Sequence, residues 1–503
     1  MNRLASSVLL VVAIAACGGD DDITTVPSEI LPASTYVNRC EAPRTGKDAN
    51  GDTFPDKSGN LLTEQLFLRS WIDDTYLWYS EVPHANPKMF DNTDDYFRIL
   101  KTGAKTASGK LKDQFHFTYT TEEWVALSQG GVEASYGLTW SLLASAPPRK
   151  IVVAYVQKGS VADMAGITRG TEGISVDGTN VVDGDPDKLN AGLFPTEVNV
   201  EHSLVVLDRG ATTPRTVTLK ASSIASTPVT SMLLPAPYDK VGYMQFNDHI
   251  QTAEKGLVDA ITSFKAAGVT DVVIDLRYNG GGYLAIAGEL GYMIAGTAST
   301  GKTFDKIQFN DKHPTTDPVT GAPLTPEGFI STAQGFSVPT GTALPHLDLT
   351  RVFVLTGPGT CSASEAVMNG LAGVDVQVVQ FGTTTCGKPY GFYPQDNCGT
   401  TYFAIQFQGV NAKGFGDYAD GITPGMPAGA LGCVIADDFT HELGDPAEAR
   451  LAAALRYISD PTTACPAAVA RSSNPLAAID GEVLKPTWLQ NAILRQPKPS
   501  LPQ

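Results

Sequence analysis

Residues 271–282 read Asp-Val-Val-Ile-Asp-Leu-Arg-Tyr-Asn-Gly-Gly-Gly. A short β-branched run without polar alternation predicts a strand buried on both faces. The polar residues and three glycines after it predict a tight loop where backbone must approach something closely. Working outward, Val241–Phe246 (VGYMQF) reads as extended, Thr252–Ala267 as an amphipathic helix and Leu284–Ala295 as a further helix. Arg351–Leu355, Glu365–Leu371 and Val376–Phe381 continue the alternation as strand, helix and strand. Apolar strands separated by helices predict an α/β core with both faces covered, over residues 226–465.

The chain has 503 residues, enough for about three domains at the usual size of one hydrophobic core. Residues 61–128 carry Leu66, Trp71, Ile72, Tyr76, Phe97 and Leu100 at helical spacing and predict a small N-terminal helical domain. Residues 129–225 turn to short β-branched runs, Lys150–Val156, Gly173–Val176 and Ser203–Leu207, which predict a β-rich domain. Residues 18–60, rich in Asp, Thr, Pro and Gly, suit a linker, and 466–503 a Pro-rich tail. The net charge of −17 works against nucleic acid as a partner, since phosphate backbones repel such a surface.

At the N-terminus, Arg3 precedes an apolar run from Val8 to Ala16 that is too short to span a bilayer. Ile14-Ala15-Ala16-Cys17 followed by Gly18-Gly19 resembles the bacterial lipobox. That resemblance implies a signal peptide over 1–17, lipidation at Cys17, and a protein held by its anchor on the periplasmic side of the cell envelope, at the outer membrane. An ordinary signal peptide that happens to contain a cysteine is the alternative. Export leaves six further cysteines, Cys40, Cys361, Cys386, Cys398, Cys433 and Cys465, in a compartment that permits disulfides. Closeness in sequence favours Cys386 with Cys398 and Cys433 with Cys465. Zinc-type spacings such as C-x2-C are absent, so no metal is expected.

Three motifs need discounting. Asp48, Asn50 and Asp52 mimic a calcium loop, but Thr53 stands where its turn glycine belongs. Gly296–Thr303 (GTASTGKT) fits the phosphate-loop pattern, yet a helical run precedes it and an extended run follows, the reverse of what phosphate binding needs. Gly280–Ala285 fits a dinucleotide fingerprint after a strand, which keeps a dinucleotide enzyme as a third reading. No cofactor is otherwise implied.

Gly137-Leu138-Thr139-Trp140, followed by the strand 150–156 and by Gly159–Gly170 (GSVADMAGITRG), resembles a PDZ domain. That resemblance implies a loop at Gly137, Leu138, Thr139 and Trp140 that receives a peptide carboxylate while the peptide adds a strand. Three further segments lie at strand ends: Asp275–Gly282, Thr360–Glu365 (TCSASE) and Gly382–Lys388 (GTTTCGK). Taken singly they read as a turn, a helix capping box and a surface charge. Together they resemble the C-terminal processing peptidases, or tail-specific proteases. The resemblance implies a crotonase-like core, polypeptide substrates and a Ser/Lys dyad of Ser362 and Lys388.

The residue chemistry suits those roles. A serine hydroxyl needs a neighbour to take its proton, and a lysine does so only when neutral, which demands burial. Glu365 is then expected to cap the helix and shape the loop without touching the amine. Ala363 N–H, with Gly282 or Gly281, would form the oxyanion hole, and Thr385 would orient the lysine. One departure is Phe392, which stands where the family often carries a glutamine; Gln395 is a candidate substitute. Cys361 is a rival nucleophile unless paired. A catalytically inactive peptide- or ligand-binding lipoprotein on the same fold is the second reading.

Overall fold

Asn60 starts the first helix, α1 (Leu61–Thr75): its Oδ1 accepts the Thr63 N–H at 3.0 Å, and Thr63 Oγ1 accepts the Asn60 N–H at 2.9 Å. Two donors that helix geometry leaves orphaned are thereby satisfied. The computed structural model describes residues 23–48, 51–125, 132–425, 431–463, 465, 482–484 and 493–494. Residues 1–17, including Cys17, lie outside the described residues, and among those described no helix is long and apolar enough to cross a membrane.

A second helix, α2 (Thr93–Ile99), packs beside α1. Leu66, Trp71, Tyr96 and Phe97 share one buried cluster with Met244, Leu257, Leu290 and Val352 of the later α/β body. The helical segment therefore closes over that body, because two helices of 15 and 7 residues carry little apolar face for a core of their own. Strand β1 (Phe117–Thr120) ties it down by pairing antiparallel with Thr400–Phe403.

The β-rich region holds a main sheet in which β2 (Leu138–Ala144), β3 (Lys150–Val156), β4 (Glu172–Val176), β5 (Glu201–Leu207) and β6 (Arg215–Lys220) lie in the order β6-β5-β4-β3-β2, beside a two-stranded sheet of Val132–Ser135 and Ser222–Ala225. Helices α3 (Val161–Met164) and α4 (Pro186–Leu193) accompany it. Its core of Trp140, Ile151, Val153, Val206 and Leu219 is distinct from that of the α/β body. The outer edge of β2 pairs with Glu482–Leu484.

The α/β body is built on β7 (Val229–Leu233), β8 (Val241–Phe246) and β9 (Asp271–Asp275), with the short β10 (Gly282–Tyr283) on the loop after β9. Strands β11 (Arg351–Thr356), β12 (Gln377–Gly382) and β13 (Leu431–Val434) complete it. The sheet order is β7-β8-β9-β11-β12-β13; β7 is antiparallel and the other pairs are parallel. Helices α5 (Ala253–Ala267), α6 (Leu284–Ala295) and α7 (Ala363–Gly373) cover one face. Helix α8 (Ala449–Ser459) covers the other, setting Leu451 and Leu455 against Val273, Phe353 and Phe381. This two-sided burial is what the uninterrupted apolar strands require, and the chain is a mixed α/β protein with several sheets. Gly296–Ser299 follows the end of α6 and leads towards the strand Thr303–Gln308, so no helix opens after GTASTGKT.

The disulfides correct one expectation. Cys433 pairs with Cys465, but Cys386 pairs with Cys361, and Cys398 with Cys40 across a separation of 358 residues. Sequence proximity misleads because the loops after β11 and β12 are neighbours in the parallel sheet, which sets Cys361 beside Cys386.

A pair of carboxyls steadies the helical face. Glu254 on α5 accepts the N–H groups of Gln334, Gly335, Ser337 and Val338, and Glu289 on α6 accepts Gln334 N–H as well. Burial first, and then the charge of Glu254, pushes the Glu289 carboxyl up to about 9. The folded state thus keeps a proton that the unfolded chain releases above about pH 4.5. The stability this group contributes is complete below that pH and is lost progressively as pH rises towards 9. Glu289→Gln is expected to flatten that decline, so that the variant exceeds the parent in thermal midpoint at pH 8 but not at pH 5.

Candidate active site

Strands β9, β11 and β12 are adjacent and parallel, so the loops at their carboxyl ends meet above one edge of the sheet. These are the three segments singled out in the sequence. Glu365, in the first turn of α7, binds them together from a fully buried position. Its Oε2 accepts the Ser362 N–H at 2.9 Å and the Lys388 N–H at 2.8 Å; its Oε1 accepts the Gly387 N–H at 2.9 Å and the Thr385 hydroxyl at 2.5 Å. Burial pushes the Glu365 carboxyl up, against the pull of these four donors. The backbones of Ser362 and Lys388 are therefore held within the span of two hydrogen bonds on one oxygen. The Cys361–Cys386 disulfide braces the same two loops covalently.

Ser362 sits at the start of α7 with φ 63° and ψ −116°, a region that side-chain-bearing residues rarely occupy. A serine held on a strained strand-to-helix turn points its hydroxyl away from its own backbone. Ser362 Oγ and Lys388 Nζ are both buried, and neither has a hydrogen-bond partner among the described residues. The structure thus brings the two backbones together without joining the side-chain tips. Lys388 Nζ lies instead 4.6 Å from the ring centre of Phe115 and 4.3 Å from that of Phe392. Desolvation holds this amine well below the ordinary lysine range, against the charges of Asp113 and Glu365. The ring faces favour an ammonium electrostatically, but loss of water outweighs them.

The glycine loop is fixed by Asn279. Its Oδ1 accepts the Gly281 N–H at 2.9 Å and faces His249 Nδ1 at 3.0 Å; its Nδ2 donates to Phe246 O at 2.9 Å. Its carbonyl accepts Cys361 N–H at 3.0 Å and the Ser364 hydroxyl at 3.1 Å, tying this loop to the Ser362 loop. Below it, Arg277 binds Asp275, Asp437 and Glu448, and Arg169 reaches from the β-rich module to Asp437 and the Tyr278 hydroxyl. At Gly282 a Cβ would come 2.3 Å from His249 O, and φ is +137°, so only glycine fits there.

Several expectations change. Gly281 is not an open oxyanion donor, since Asn279 takes its N–H; Gly282, with Ala363 at the first position of α7, is left as the candidate pair. Thr385 turns its hydroxyl to Glu365, so it can orient Lys388 only through that carboxylate. Gln395 donates to Asp396 O at 3.0 Å, and it is Phe392 that meets the amine. Cys361, in a disulfide, is no nucleophile. In the β-rich module, Gly137 (φ +76°) gives its N–H to Ser135 Oγ at 3.0 Å, and Trp140 is wholly buried in the module's core. Leu138 and Thr139 open β2 half-buried, and the outer edge of β2 beyond them is paired with Glu482–Leu484.

Sequence reading missed Asp113, Phe115 and Asn279. Asp113, on the segment before β1, accepts the Tyr76 hydroxyl at 2.6 Å and the Phe115 N–H at 2.8 Å. Burial opposes its charge, but His116, Tyr76 and the Phe115 N–H hold it below the usual carboxylate range. No local signal marks Asp113 and Phe115, because their role depends on the N-terminal segment folding across the α/β body, whereas Asn279 lies inside the Asp275–Gly282 segment and shows its role only through its partners His249, Gly281 and Ser364.

Residues 240–396 match the model of peptidase family S41. Carboxyl-terminal-processing peptidase 3 of Arabidopsis thaliana is 27% identical over 219 residues, 38% of this chain and 42% of the relative. The carboxyl-terminal-processing protease of Synechocystis sp. (strain ATCC 27184 / PCC 6803 / Kazusa) is 28% identical over 229 residues, 44% of this chain and 52% of that one. The chain thus spans about half the length of these curated relatives. A Bacteroides fragilis NCTC 9343 protein assigned to the S41 proteases shares the fold, with a TM-score of 0.56 at 22% identity over 79% of this chain and 98% of its own. The matching segment runs from β8 past Lys388 and the same fold recurs in that structure, so this part of the chain is similar to peptidase family S41 and to the carboxyl-terminal-processing peptidases.

Proposed function

We propose that the protein is a serine endopeptidase acting on exported polypeptides through a Ser362–Lys388 dyad on a crotonase-like core. The observation that carries this reading is the Glu365 carboxylate, which gathers the Ser362 and Lys388 backbones, with the buried amine set against the rings of Phe115 and Phe392. Ser362 Oγ attacks the scissile carbonyl while neutral Lys388 takes its proton. The oxyanion accepts from Ala363 and Gly282 N–H. The lysine ammonium then protonates the leaving amine, and water drawn through the same base releases the acyl group from Ser362. The dyad hydrogen bond forms by rotation of the flexible lysine side chain off the two rings, as catalytic contacts commonly tighten only with substrate bound.

The module over 129–225 is read as PDZ-like and as the dock for substrate chain ends, with backbone pairing along β2 supplying affinity. In this proposal the protein is a lipoprotein anchored at Cys17, on the periplasmic side of the envelope. The test is a fluorophosphonate probe with casein as substrate. The reading expects the mass of the probe on the peptide containing Ser362 and a matching loss of casein cleavage. Modification elsewhere, or cleavage that persists once Ser362 is modified, overturns it. The unjoined Ser362 and Lys388 tips favour one rival, a binding protein with a silent site. It predicts peptide binding without cleavage at any pH.

A further inference from the structure

The disulfide across the two dyad loops joins Cys361, the residue before Ser362, to Cys386, two residues before Lys388. Glu365 lies against the same bond: its Oε2, which accepts the Ser362 and Lys388 N–H groups, is 3.5 Å from Cys386 Sγ. One ligand atom from each of Cys361, Glu365 and Cys386 falls within 4.8 Å of the other two. Two thiolates and a carboxylate so placed are a donor set for a thiophilic divalent cation. With Zn–S of about 2.3 Å and Zn–O of about 2.0 Å, neighbouring tetrahedral ligands stand about 3.5 Å apart, which is the span from Cys386 Sγ to Glu365 Oε2. No C-x2-C spacing announces the set, because 25 positions part the cysteines and the pairing of β11 with β12 reunites them.

The disulfide is approachable from one side. Cys361 is buried, with its N–H given to Asn279 O at 3.0 Å, whereas Cys386 is only half-buried. A dithiol reductant therefore attacks Cys386 Sγ as its thiolate, and Cys361 Sγ leaves as a thiolate at the start of α7, where the helix N-terminus favours negative charge. The second thiol of the reductant then displaces Cys386. Two electrons pass to the cysteines, the reductant ends as a disulfide, and its two protons go to the cysteines or, when a cation takes their place, to solvent. A similar group of Cys40, Glu64 and Cys398 lies at the start of α1, where Glu64 accepts the Glu41 N–H. An ion on Glu365, by contrast, contends with the N–H groups of both dyad residues for one oxygen.

We propose that reduction of Cys361–Cys386 opens a cation site built from both thiolates and Glu365, and that a thiophilic dication seated there silences the dyad by drawing Glu365 off the Ser362 and Lys388 backbones. The silencing rests on the peptidase reading; the site does not.

The test uses the full chain, either oxidised or treated with a dithiol and then freed of it, with Co2+ alone as the probe. The reduced chain is expected to develop a thiolate-to-cobalt charge-transfer band that the oxidised chain lacks. Bound Co2+ is expected to slow alkylation of Cys361 and Cys386 at least ~10-fold, read peptide by peptide by mass. The Cys361→Ser, Cys386→Ser double variant, reduced in parallel, retains whatever Cys40 and Cys398 bind and is expected to take up one equivalent less. Equal alkylation of Cys361 and Cys386 with and without Co2+ overturns the site, whatever Cys40 and Cys398 do. Casein cleavage is expected to fall at least ~10-fold when Co2+ is added to the reduced chain but not to the oxidised one, and to return on chelation. Protection of both thiols with cleavage unchanged overturns the silencing. Protection in a chain that cleaves nothing even when oxidised retains the site and removes the peptidase reading alone.

Discussion

Lys388→Met is expected to lower kcat/KM on an unstructured protein by ~10³-fold or more while raising the thermal midpoint at neutral pH. The two effects have one cause. The amine is buried against Phe115 and Phe392 without a hydrogen-bond partner among the described residues, so folding must strip its water without compensation. Its folded pKa lies well below the ordinary lysine value. The unfolded chain therefore binds more protons over that interval, and this group's contribution to stability grows with rising pH. Methionine keeps the volume and removes the liability, about 2 kcal/mol on the scale at which functional groups trade against stability. Ser362→Ala is expected to match the loss of activity without the gain in stability. Calorimetry beside casein hydrolysis separates the two; a destabilised Lys388→Met would mean that the amine has a partner in solution.

Glu365→Gln is expected to cost more in stability than any other single change at the site. The carboxylate accepts from three backbone N–H groups and the Thr385 hydroxyl. An amide offers one acceptor oxygen and turns an NH2 group towards donors, leaving buried N–H groups unsatisfied at about 1–3 kcal/mol each. Both dyad loops lose their common anchor, and activity is expected to fall ~10²-fold or more through loss of alignment. Denaturant unfolding and kcat measure the two losses. A variant with native stability and activity would mean that the Cys361–Cys386 disulfide and Asn279 suffice to hold the loops.

The sheet was legible because its strands are continuous apolar runs. Val241–Phe246 and Lys150–Val156 fall where composition places them, and α6 spans Leu284–Ala295 as its apolar pattern indicates. What escaped sequence reading depends on contacts remote in the chain. Asp113 acts on Lys388 from 275 positions upstream, and Cys40 finds Cys398 across 358 positions. The glycine loop looked uniform, yet its members differ: Gly281 spends its N–H on Asn279, whereas Gly282 is a glycine because His249 O crowds it. The family resemblance sets Thr385 beside the lysine, and only the fold shows that its hydroxyl is bonded to Glu365. No periodicity marks Glu482–Leu484 and Ile493–Leu494 as partners for β2 and β10, since pairing there is through backbone.

The pH dependence of kcat/KM on a fluorogenic unstructured peptide tests most directly whether an uncharged lysine activates Ser362. The profile should rise through a single ionisation far below the usual lysine value, leaving full activity at neutral to mildly alkaline pH, and Lys388→Met should remove that ionisation together with the activity. A limb that begins only near pH 10.5, or one that survives Lys388→Met unchanged, contradicts the mechanism.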